Sequence, residues 1–160
     1  MNLTKQQPTV VHSTFVIERE YPVAPERVYA AFADAAIKRR WYADRGSQSI
    51  DEFEMDFRVG GVERFHYRLS GGPVAGKMLS HEGTFHDIVP NRRIVFASTM
   101  SLENYRMSTT LITFEILPHG SGSTLVLTHQ GAFFEGSDGP ERREGGWQDL
   151  MKRLDAELAR

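Results

Sequence analysis

The hydrophobic period of this chain changes near its C-terminus after a long block of alternation, and that change limits the fold more than any single motif does. Between Asp51 and His129 apolar residues recur at every second position, in runs broken by glycine, proline and asparagine. Such runs are the mark of half-buried strands. Beyond them the apolar positions are Trp147, Leu150, Met151, Leu154 and Leu158. The spacing i, i+3, i+4, i+7, i+11 is one stripe on an α-helix. A lone helix of this length is marginal in water, so the stripe must be covered by the apolar face of the sheet. Each Leu or Met fully buried there contributes roughly 1.5–3 kcal/mol.

The two alternating runs Asp51–Val59 and Glu63–Leu69 flank Gly60-Gly61. They predict a hairpin, because glycine supplies positive φ at no steric cost. The stretch SGGPVAGK at 70–77 reads as a second hairpin loop. It lacks the GK[ST] ending of a phosphate loop and does not lead into a helix. Further strands are predicted over Glu82–Val89, Arg92–Thr99, Met107–Leu117 and Ser123–His129, with Thr14–Tyr21 as a first strand far upstream. Pro25 opens a short helix with Val28, Ala31 and Phe32 inward. Asp34 caps a second, with Ile37 and Trp41 inward. Gly145-Gly146 stand at the start of the last helix, and Asp149/Arg153 and Arg153/Glu157 are i,i+4 pairs on its outer side. The expected fold is α+β: a curved antiparallel sheet of about seven strands around a long C-terminal helix, with two short helices after the first strand. Residues 1–13 read as a loose arm, and 14–160 as a single domain.

Composition excludes several classes. The 160 residues include no cysteine, so disulfides and thiolate metal sites are out. The N-terminus lacks a basic region followed by an apolar one, and no apolar run has transmembrane length. A cytoplasmic protein without membrane insertion is expected. Formal net charge is −2, and the densest basic run, Lys38-Arg39-Arg40, reads as a solvated helix face. Nucleic acid is therefore not an expected partner. Of the histidines, His81 and His86 fall on opposite faces of one strand, and no HExxH occurs. Neither a metal nor a cofactor is expected. Glu52, Glu54 and Asp56 read as a solvated strand face, and no GxSxG elbow is present.

The segments FVIEREYPVAPERVYAAFAD, RRWY, DFRVGGVERF, GTFHDIVPNRRIVF, TTLITFEI, GSTLVLTHQG and GGWQDLMKRLDAEL follow one another between Thr14 and Leu158. In order and spacing they resemble the START-like, helix-grip superfamily (SRPBCC). Within it, the nearest resemblance is to the branch of the C-terminal domain of the heat-shock chaperone ATPase activator. The resemblance implies a cavity between sheet and long helix that takes lipids, hormones or polyketides, and in some members a cyclase or hydrolase. The chain lacks the separate N-terminal domain of the two-domain activator, which counts against a chaperone partner.

Trp41, Phe65, Tyr67, Phe85, Phe96 and Trp147 fall on the apolar faces, with Met151 on the helix stripe. They form either a packed core or the wall of a pocket for a small apolar molecule of lipid, aromatic or polyketide type. Ligand binding is the expected function. The alternatives are an enzyme using the same cavity, with His129 and Tyr67 as proton-transfer groups, and a chaperone-interacting module. A homodimer is left open.

Overall fold

Alternation becomes seven strands in the computed structural model, which describes residues 6–46 and 49–160. They are β1 Val11–Tyr21, β2 Ser49–Met55, β3 Val62–Arg68, β4 Met78–Val89, β5 Arg93–Leu102, β6 Tyr105–His119 and β7 Gly122–Phe133. All neighbours are antiparallel, in the order β1-β7-β6-β5-β4-β3-β2. Strands β4 to β7 outrun the alternation: β4 starts before Glu82, β5 ends after Thr99, β6 runs past both Met107 and Leu117, and β7 ends after His129. The reason is visible at His81 and Gly131, inward positions whose residues hide the apolar period. Strand β1 likewise starts ahead of Thr14, so Val11, His12 and Ser13 of the expected arm are paired with β7. Residues 1–5 of that arm lie outside the described residues.

The hairpin between β2 and β3 turns where Gly60-Gly61 stands. Gly60 has φ +84°, and a Cβ on Gly61 would lie 1.9 Å from the Asp56 carbonyl oxygen. Between β3 and β4 the Gly-rich stretch holds one 3-10 turn, Gly72–Val74.

Helix α1, Pro25–Ala33, buries Val28, Ala31 and Phe32. The Asp34 side chain accepts from the backbone N–H of Ala36 and Ile37 and so caps α2, Ala35–Lys38. Helix α2 passes directly into a π-helical turn, Arg39–Ala43, closed by Asp44 N–H to the Arg39 carbonyl. The wider turn changes which side chains face inward. Lys38, Trp41 and Tyr42 are buried, while Ile37 is only half-buried.

Helix α3 spans Pro140–Leu158, so Gly145 and Gly146 are interior to it rather than at its start. Pro140 takes the first position, where no N–H is missed. Trp147, Leu150, Met151, Leu154 and Leu158 are all buried. The expected surface pairs give way to tertiary contacts. Arg153 donates to the backbone carbonyls of Arg40, Trp41 and Asp44, and Glu157 pairs with Arg40. These bonds tie α3 to the π turn.

The concave face of the sheet has an unusual floor. Pairing aligns Glu63, Gly83, Ser98, Thr110 and Gly131 in one row across five strands. On one side of this row lie Phe85, Phe96, Ile112 and His129, and on the other Phe65, His81, Met100, Ser108 and Phe133. From Gly83 to Gly131 the row carries short side chains between rows of mostly bulkier ones, which makes a trough. Its glycines are required: a Cβ on Gly83 would be 2.3 Å from the Phe96 ring, and one on Gly131 would be 2.6 Å from the Phe133 ring. Those rings lean over the glycines, which leaves the open part of the trough above Ser98 and Thr110.

Candidate functional site

Between the trough, the π turn and the first half of α3 lies a cavity of about 410 Å³. Ser98 and Thr110 stand on its floor, with their hydroxyl oxygens 3.1 Å apart. Phe85, Phe96, Ile112 and Phe114 form apolar walls from the sheet, and Trp147 and Leu150 face it from α3. The π turn places Trp41 by a hydrogen bond from its indole Nε1 to the Ala31 carbonyl, at 2.8 Å. Gly136, Arg142 and Gly146 are the exposed lining residues and mark the side that opens to solvent.

One end of the cavity holds a buried ion pair. Lys38 Nζ donates to Glu63 Oε2 at 2.5 Å, and both side chains are nearly sealed from solvent. The ammonium also sits 4.9 Å from the centre of the Tyr42 ring and 5.9 Å from those of Phe85 and Phe96. A buried ion pair is costly to desolvate and is sustained here by close geometry and aromatic faces.

The other end is cationic. Arg143 makes two bonds to Asp138, at 2.8 and 2.9 Å, and one to the Ser108 hydroxyl at 2.8 Å. Arg45 lays its guanidinium over the Tyr67 ring, 5.4 Å from the centroid, and donates from Nε to the Tyr42 carbonyl. Burial, and then the charges of Arg143 and Arg45, push the His81 imidazole down to about 3. Burial, with Arg143 behind it, lowers His129 to about 4. Both rings are therefore neutral at neutral pH. Burial raises the Tyr42 and Tyr67 phenols, which stay protonated and can donate hydrogen bonds.

Of the residues expected at a ligand wall, Trp41, Tyr67, Phe85, Phe96 and Trp147 line this cavity, as does His129. Phe65 and Met151 do not. The Phe65 ring is enclosed by Phe53, Tyr42 and Tyr67. Met151 is wholly buried in the core, on the half of α3 beyond the cavity. His129 stacks on Phe15 with ring centroids 4.5 Å apart, and both its nitrogens are buried without a partner. It is thus not bonded to any cavity hydroxyl, and it forms no nucleophile–base pair.

Sequence reasoning missed the polar lining, which includes Lys38, Arg45, Glu63, His81, Ser98, Thr110 and Arg143. Four of these carry a signal. Glu63 is in phase with Phe65 and Tyr67, His81 with Leu79 and Phe85, Ser98 with Phe96, and Thr110 with Ile112. A polar residue in an apolar phase must be satisfied or functional. Among the described residues, no three His, Asp or Glu side chains converge as a metal site.

A curved antiparallel sheet gripping one long helix over an internal cavity defines a helix-grip protein of the START-like superfamily. Residues 22–159 match the family model described as Activator of Hsp90 ATPase homolog 1-like protein, and the chain belongs to that family. The solved structure of Mll3558 from Rhizobium loti is 45% identical over 94% of this chain and 99% of its own, with a TM-score of 0.85. A protein from Rhizobium leguminosarum is 31% identical over 94% of this chain and 96% of its own, with a TM-score of 0.86. SA2116 from Staphylococcus aureus, 16% identical over 94% of this chain and 95% of its own at a TM-score of 0.74, shares the fold. No curated protein matches the sequence significantly.

Proposed function

We propose that this protein binds one small, largely apolar molecule in the cavity between the sheet and α3. The observation that carries the reading is the trough. Strands β4 to β7 place Gly83, Ser98, Thr110 and Gly131 in one row, and the space above it is left unfilled by the surrounding aromatic rings. Protein interiors otherwise pack to crystal density, and an unfilled cavity loses contact energy along its whole lining. A ligand restores those contacts. Trp41, Tyr67, Phe85, Phe96 and Trp147 are its proposed wall contacts. The volume lies toward the lower end of the usual pocket range, which suits a single-ring, two-ring or single-chain compound better than a two-chain lipid.

Native mass spectrometry of freshly purified protein tests this by detecting a co-purified compound. Thermal melts over an apolar panel test it again: a ligand at a hundred times Kd adds about 2.7 kcal/mol. A panel that moves no melting curve would sink the reading. The same incubations show whether the compound returns unchanged, as a binder requires. Chaperone contact is the second reading, and its support is the family description. Recovery of a chaperone by the tagged protein from lysate would favour it.

A further inference from the structure

The cavity is not electrically neutral. Its lining carries four cations, Lys38, Arg45, Arg142 and Arg143, against two carboxylates, Glu63 and Asp138. The chain as a whole is at −2, so positive charge is concentrated here against the overall balance. Lys38 is spent on Glu63 and Arg143 on Asp138. Among the described residues Arg45 and Arg142 have no carboxylate within ion-pairing distance, and the remaining residues, 1–5 and 47–48, contain no acid. Arg142 is exposed and screened by water. Arg45 is half-buried, donates from Nε to the Tyr42 carbonyl and lays its guanidinium against Tyr67. Among the described residues its terminal nitrogens meet no carboxylate, and they face the cavity beside the Tyr67 phenol.

Resting on the ligand-binding reading above, we infer that the molecule this cavity takes is an amphipathic monoanion, an aromatic or acyl carboxylate whose acid group is held by Arg45 beside Tyr67. Several features converge on that corner. The phenol of Tyr67 is protonated and can donate to a carboxylate oxygen. Arg143 is fixed by Asp138 and Ser108, and its charge reaches Tyr67 and His81 together with that of Arg45. His81 is kept neutral by its burial first and by that field second, so it adds no charge of its own. The opposite end, with the Lys38–Glu63 pair, is internally balanced and has no excess charge to offer. An anion in a cavity of apolar walls is weakly screened, so a planar guanidinium meeting a carboxylate there gains more than it would in water.

Calorimetric titration with 2-naphthoate, 2-naphthamide and 2-naphthylmethylamine tests the inference, because the three probes share one apolar body and differ in charge. The carboxylate is expected to bind about tenfold tighter than the amide, as a charge-assisted bond exceeds a neutral one, and the amine to bind weakest. Arg45→Gln is expected to erase the preference for the acid over the amide, and Arg45→Lys to keep part of it. Naphthamide binding as tightly as naphthoate overturns the anion inference and leaves the cavity reading standing. Failure of all three probes to bind removes the cavity reading and the inference with it.

Discussion

Lys38 Nζ lies 2.5 Å from Glu63 Oε2, and this pair joins the end of α2 to the third strand across the end of the cavity. Removing one partner leaves a buried charge alone, which costs about 3–5 kcal/mol. Glu63→Gln and Lys38→Met are each expected to destabilise by that order in a denaturant titration. The double variant Lys38→Met/Glu63→Leu is expected to recover most of the loss, because buried pairs replaced by apolar residues are often neutral. If the double variant is as unstable as the singles added together, the pair is not coupled.

Gly145 and Gly146 sit inside α3, and a Cβ on either meets nothing within 4 Å. Glycine in a helix interior is worse than alanine by about 0.8–1 kcal/mol. Gly145→Ala and Gly146→Ala are both expected to raise stability by up to that amount in thermal melts. Only Gly146 borders the cavity. Gly146→Leu is therefore expected to keep the fold and weaken probe binding, whereas Gly145→Leu is expected to leave binding alone. Equal binding by both leucine variants would place the ligand elsewhere.

His81 and His129 titrate near 3 and 4 in the folded protein, against about 6.5 in an unfolded chain. Between those values the native state holds fewer protons than the unfolded one. Stability is thus complete above about pH 6.5 and falls as pH drops through the window. Each histidine contributes a slope of about 1.4 kcal/mol per pH unit there. Melting temperatures measured from pH 7 down to 5 are expected to decline, and less steeply in His129→Leu. A flat profile in the wild type would mean that these rings accept protons in place.

Leu154 is wholly buried at the centre of the α3 stripe. Leu154→Ala is expected to cost about 2–5 kcal/mol, from lost transfer energy plus a cavity. A loss below about 0.5 kcal/mol in denaturant, within the range of an ordinary surface change, would mean that the helix is not docked.

Much of this protein is legible in the order of its residues. The period-two runs, the Gly60-Gly61 turn, the Asp34 cap and the Trp147–Leu158 stripe depend on neighbours a few positions apart, and local chemistry decides them. That is why the seven strands, the short helices and the gripped helix follow from the sequence, together with five of the aromatic rings that face the cavity. The site itself depends on other relations. Whether Gly83, Ser98, Thr110 and Gly131 lie side by side is a matter of strand register, and a slip of two residues would scatter them with every face still correct. Lys38 at the end of α2 meets Glu63 on β3, and Arg153 leaves its helical neighbours for the carbonyls of Arg40, Trp41 and Asp44. Alternation reports which face a residue takes, but it carries no information about which residue of the next strand stands beside it. Only the assembled sheet sets that, and the cavity exists because of it.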